Sequence, residues 1–111
     1  MADLVKYEEF KKLDLRIATI RKVEDIKKAD NLLKLEVDLG REKRIIVAGI
    51  KKFYSKDELK GKQIIVVANL EPRVMKGVES RGMLLAAVSN DESKIVLISP
   101  EKNIDSGTKV H

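Results

Sequence analysis

Apolar and polar residues alternate along Leu33-Lys34-Leu35-Glu36-Val37-Asp38-Leu39, a period of two that predicts a half-buried strand with one wet face. Gly40-Arg41-Glu42 then turns the chain into a further strand from Lys43 to Ala48. Two continuous apolar runs, Gln63 to Ala68 and Met83 to Val88, predict strands covered on both faces. From Leu15 to Val23 the residues favour strand, but the apolar phase slips, with Leu15 and Ile17 on one face and Ala18 and Ile20 on the other. A bulge or a strong bend accounts for such a slip. Leu4, Tyr7, Phe10 and Leu13 are at helical spacing, which predicts a short helix or turn packed on the core ahead of the first strand. Asp57-Glu58-Leu59, with Ser55 or Asp57 as cap and Gly61 as terminator, predicts a second helical turn between the third and fourth strands.

Five strands with one helix between the third and fourth are the element order of an all-β OB-fold, a partly open five-stranded Greek-key barrel. Such barrels present nucleic-acid surfaces on the loop joining strands one and two, on the loop joining strands four and five, and on the outer face of strands two and three. Basic residues occupy all three places: Lys27 and Lys28 in the loop from Asp25 to Asn31, Lys34 on the sheet face, and a cluster between Asn69 and Gly82. A carboxy-terminal strand extension, Ile95-Val96-Leu97-Ile98, is apolar on both sides although the barrel is complete by Val88. It needs a cover. Packing on the amino-terminal helix and a symmetric dimer interface both answer that need.

Length and charge narrow the partner. The 111 residues form one domain spanning 1–111, and 43% hydrophobic with 37% charged residues is a folding composition. No apolar run approaches the ~20 residues of a membrane span, and Met1-Ala2-Asp3 lacks a cleavable leader pattern, so a cytoplasmic protein without membrane contact is expected. The net charge of +5 favours an anionic partner. Cysteine is absent and the single histidine is His111, which leaves no triad, thiolate or two-histidine metal site. Glu24-Asp25, Asp57-Glu58 and Asp91-Glu92 are adjacent pairs that read as solvated loop charges, and no glycine-rich phosphate loop opens a helix. Binding without cofactor or catalysis is the expectation.

The stretch Val67 to Met83, VANLEPRVMKGVESRGM, concentrates the candidate chemistry. Pro72, Gly77 and Gly82 shape it, while Arg73, Lys76 and Arg81 supply charge suited to phosphates. Ser80 reads either as a local turn cap or as a hydroxyl for ribose or phosphate, and Met83 either as core or as a soft contact for a base. The aromatic residues Tyr7, Phe10, Phe53 and Tyr54 all fall outside the predicted strands. Base stacking therefore does not dominate, and contacts to the backbone of a folded RNA suit the inventory better.

Asn69-Leu70-Glu71-Pro72-Arg73, Gly77 and Ser80-Arg81-Gly82-Met83 together resemble the signature of the tRNA-binding domain of methionyl-tRNA synthetases and of free-standing tRNA-binding proteins. The likeness extends to Tyr7-Glu8-Glu9-Phe10, Asp14-Leu15-Arg16, Leu32-Leu33-Lys34-Leu35, Val47-Ala48-Gly49-Ile50 and Ser99-Pro100-Glu101. It implies an OB-fold homodimer that holds tRNA by its overall form. The contacts implied are Lys34, Ser80 and Met83, with Asn69 and Arg73 matching the loop pattern; Lys27, Lys28, Lys76 and Arg81 enter from charge alone. A chaperone-like branch shares the fold but lacks Ser-x-Gly-Met and Val-Ala-Gly-Ile, both present here. The resemblance thus implies a β-subunit-like partner acting in trans on the methionyl-tRNA synthetase catalytic subunit, or an independent tRNA-binding protein. The alternative is an interaction or chaperone-like dimer that uses the apolar carboxy-terminal strand.

Overall fold

The computed structural model describes residues 3–111; Met1 and Ala2 of the leader reading lie outside them. In chain order the elements are α1 (Tyr7–Phe10), β1 (Leu15–Asp25), β2 (Leu33–Asp38), β3 (Lys43–Ala48), α2 (Lys56–Leu59) and β4 (Gln63–Val67). There follow β5 (Arg73–Met75), β6 (Val78–Ser80), β7 (Met83–Leu84), β8 (Ala86–Val88), β9 (Ile95–Leu97) and β10 (Lys109–Val110). The main sheet is antiparallel in the order β3-β2-β1-β4-β7, with β10 alongside β1. Its ends approach each other where the Arg81 amide donates to the Ile45 carbonyl at 2.9 Å, leaving a nearly closed barrel of the OB type.

Strict alternation places Leu33, Leu35 and Val37 inside and Lys34, Glu36 and Asp38 outside. The core joins these to Ala18, Ile20, Ile46, Ala48, Ile64, Val66 and Leu97, with Leu59 of α2 closing it. That helical turn carries a capping box: the Glu58 amide donates to the Ser55 hydroxyl, and the Ser55 amide donates to the Glu58 carboxylate.

The slipped phase of β1 has a different origin from the one expected. A bulge does occur, but between Ile20 and Lys22, after the slip. The residues before it are buried on both faces because the chain end covers the outer one. Gly107 donates to the Ile17 carbonyl, Ile17 donates to the Thr108 carbonyl, and the Thr19 and Ser106 hydroxyls meet at 2.7 Å. Gln63 completes the strap, donating to the Ile104 carbonyl and accepting from its amide. Gly107 approaches so closely that a Cβ there would stand 2.1 Å from the Leu39 carbonyl oxygen.

Three further expectations need correction. Met83 to Val88 is not one strand covered on both faces; it changes partner at Leu85, with β7 on β4 and β8 on β9, and Met83 and Val88 are exposed. The carboxy-terminal strand does not rest on the amino-terminal helix: Ile95 and Leu97 pack on the barrel core, and the Leu97 amide donates to the Tyr54 hydroxyl. Finally, α1 buries no residue, and Leu4, Val5, Tyr7, Phe10 and Leu13 lie open to solvent rather than on the core.

Candidate nucleic-acid interface

The segment between β4 and β7 is not an open loop but a hairpin. Lys76 and Gly77 both have positive φ, 51° and 80°, the backbone of a two-residue type I′ turn. The register pairs Arg73 with Ser80, Val74 with Glu79, and Met75 with Val78, so alternate residues share a face. Met75 and Val78 turn inward onto a small second cluster with Ile26, Ala29 and Val47. Ile26 and Ala29 belong to the loop between β1 and β2. One apolar seat therefore holds both basic segments against the outer face of β3.

Lys34 stands beside this seat, because its cross-strand partner is Val47. Lys27 and Lys28 project from the first loop, Arg73 and Lys76 from the hairpin, and Arg81 from the turn that follows, all exposed. Among the described residues none of these six cations, Lys34 included, lies within ion-pair distance of a carboxylate. The lower part of the same sheet face is neutralised, with Glu36 between Lys22 and Lys43 at 3.8 Å each and Asp38 against Arg21 at 3.1 Å. At the rim, Asp25 holds Lys51 at 3.1 Å and Lys56 at 2.9 Å. The hydrogen bond from Lys56, followed by that from Lys51, keeps the Asp25 carboxyl below its ordinary range.

Two of the expected contact residues are committed within the protein. Ser80 is only 3% exposed; its hydroxyl accepts from the Val47 amide at 2.9 Å and donates to the Gly82 carbonyl at 3.2 Å. It thus completes the barrel seam where a backbone acceptor would otherwise stand, which is the turn-cap reading in a more consequential place. Asn69 is exposed, but its side chain accepts from the Asp14 amide at 2.8 Å and donates to the Lys12 carbonyl at 2.6 Å. Met83, by contrast, is 50% exposed at the start of β7, so it is not core and is free to touch a ligand. Gly82 precedes it with φ of 122°, and a Cβ there would stand 3.1 Å from the Val67 carbonyl oxygen.

The seat itself was missed in the sequence. Its signals were the apolar Ile26, Ala29 and Leu32 in an otherwise charged loop, and a Lys-Gly pair between Met75 and Val78. A depression of about 740 Å³ lies elsewhere, lined by residues including Asp14, Arg16, Arg41, Glu42 and Arg44. Two of its three arginines are neutralised by Asp14 and Glu42, so it competes poorly as an anion site.

Comparison with known proteins gives the family. The family described as "Putative tRNA binding domain" matches residues 15–109. The methionine-tRNA ligase of Pyrococcus horikoshii is 50% identical over 108 residues, covering 97% of this chain but 15% of the ligase. The chain therefore spans about 15% of the length of that relative. Among solved structures, a MetRS-related protein from Pyrococcus horikoshii superposes with a TM-score of 0.93 at 39% identity, covering 99% of this chain and 100% of the other. The chaperone CsaA of Bacillus anthracis superposes with a TM-score of 0.89 at 31% identity, covering 98% and 100%. The chain belongs to the tRNA-binding domain family and is homologous to the carboxy-terminal tRNA-binding domain of methionyl-tRNA synthetase.

Proposed function

We propose that residues 1–111 act as a single, non-catalytic tRNA-binding unit that recognises the folded form of tRNA. The observation that carries this reading is the convergence of Lys27, Lys28, Lys34, Arg73, Lys76 and Arg81, all without carboxylate partners among the described residues, around one apolar seat. Cations held in fixed relative positions match a fixed arrangement of phosphates, whereas a flexible strand would need stacking platforms that these strands lack. Met83 adds a soft apolar contact at the rim. Ser80 and Asn69 shape the surface from within. The unit acts in the cytoplasm, as a partner in trans of the methionyl-tRNA synthetase catalytic subunit, and raises local tRNA concentration there.

The same reading includes a homodimer. Leu4, Val5, Tyr7, Phe10 and Leu13 are exposed, four of them around one depression, and Val96 of β9 and the adjacent Ile98 are exposed as well. A second copy supplies an identical surface, and a two-fold pairing covers such a surface with itself.

Filter binding across a salt series tests the function. Affinity should fall steeply with salt, and folded tRNA should be preferred over unstructured RNA of equal length. Equal affinity for both would sink shape recognition. A chaperone-like reading draws on the same exposed residues, above all Val96 at 55%. It predicts that Val96→Asp abolishes function while Arg73→Ala with Lys76→Ala leaves it intact.

A further inference from the structure

Asn69 opens the RNA-binding segment, yet its side chain is bonded to the turn that follows α1. Three hydrogen bonds cross there between distant parts of the chain. The Ala68 amide donates to the Asp14 carbonyl at 2.7 Å, the Asp14 amide donates to Asn69 Oδ1 at 2.8 Å, and Asn69 Nδ2 donates to the Lys12 carbonyl at 2.6 Å. Two of the three use the Asn69 side chain. An amide can accept with one end and donate with the other, so it spans an N–H and a C=O that a carboxylate or hydroxyl of the same length would not serve equally. Arg44 reinforces the root from the β3 side by donating to the Ala68 carbonyl.

The segment so tied is the one that exposes Leu4, Val5, Tyr7, Phe10 and Leu13. Within it, the Lys11 amide donates to the Tyr7 carbonyl at 2.9 Å and the Leu13 amide to the Phe10 carbonyl at 3.0 Å, so the turn is tied within itself. We propose that Asn69 is a positioning residue that couples this amino-terminal segment to the RNA-binding hairpin, so that ordering either one favours the other. The coupling rests on the tRNA-binding reading above and adds regulation to it: whatever covers the apolar segment also sets the root from which Arg73 and Lys76 are presented. Such linkage is reciprocal, so bound RNA must in turn stabilise the α1 turn.

Amide hydrogen exchange of the full chain, with and without saturating folded tRNA, tests this alongside filter binding for the wild type and Asn69→Ala. The amides to follow are Lys11 and Leu13, whose own acceptors lie within the α1 turn. In the wild type, tRNA should slow their exchange severalfold. In Asn69→Ala, tRNA affinity should fall roughly 2- to 10-fold, the equivalent of one of the two hydrogen bonds lost, and the response at Lys11 and Leu13 should vanish even at saturation. A response that persists in the variant, or an affinity that does not change, overturns the coupling. A wild-type protein that binds no tRNA at all overturns the function proposed above, and the coupling falls with it.

Discussion

The hydroxyl of Ser80 receives the amide of Val47 at 2.9 Å across the seam of the barrel. The bond does what a main-chain carbonyl does elsewhere in the sheet, where hairpin and barrel meet without regular pairing. Ser80→Ala leaves a buried N–H without a partner and should cost about 1–3 kcal/mol in urea denaturation. Unchanged stability with weakened RNA binding would make Ser80 a ligand contact instead.

The two glycines of the hairpin region should respond unequally to alanine. At Gly77, with φ of 80° and no atom near the new methyl, the penalty is conformational alone, about 1 kcal/mol. At Gly82 a φ of 122° combines with a Cβ only 3.1 Å from the Val67 carbonyl oxygen, so the loss should be larger, about 2–3 kcal/mol. Thermal unfolding of the two variants gives the order; Gly77→Asn, which tolerates the turn, should sit close to wild type.

Charge removal should separate the surface into two halves. Arg73→Ala and Lys76→Ala should each lower the slope of log affinity against log salt by about 0.7–0.9, the value for one lost phosphate contact. Lys22→Ala and Lys43→Ala, which face Glu36 at 3.8 Å, should leave the slope unaltered. Equal effects from all four would mean that the field as a whole, not the seat, directs binding.

Association through the exposed apolar faces predicts that Phe10→Asp and Val96→Asp, at residues 40% and 55% exposed, convert a dimer to a monomer without unfolding it. Leu97→Asp, by contrast, buries a charge at a residue 7% exposed and should unfold the chain. Light scattering and melting curves read both outcomes; an unchanged mass in both surface variants would refute the dimer.

Asp91, in the turn between β8 and β9, has its pKa pulled down to about 2 by the hydroxyl and amide of Ser93 and the hydroxyl of Ser89. A carboxyl whose folded pKa lies below the ordinary 3.8 favours the folded state above pH 4, and that contribution disappears as pH falls through about 2. Asp91→Asn should therefore flatten the melting temperature between pH 4 and pH 2, measured against wild type in the same buffers.

The strand with strict alternation was legible from its start: β2 begins at Leu33, with one face to water and one to the core, and β3 follows the Gly40 turn from Lys43 to Ala48. Continuous apolar runs were ambiguous for a physical reason. Gln63 to Val67 is a single strand, whereas Met83 to Val88 is an equally uninterrupted apolar run but exchanges partners at Leu85, and nothing in its pattern marks the exchange. The strap over Ile17 and Thr19 was equally hidden, since its hydrogen bonds join residues 41 to 91 positions apart. In the candidate site the cations were evident from charge. The residues that fix them were not, because Met75 and Val78 acquire their meaning only once Lys76-Gly77 folds the hairpin over Val47.

The seat formed by Ile26, Ala29, Val47, Met75 and Val78 has a kinetic consequence. It contains few residues, so its local opening should be far easier than global unfolding, and it should release the first loop and the hairpin in a single event. Lys27, Lys28, Arg73 and Lys76 are then assembled or dispersed together, while Lys34 stays on β2. Dissociation of a bound nucleic acid would follow one rate set by that opening, rather than a peeling of contacts one after another.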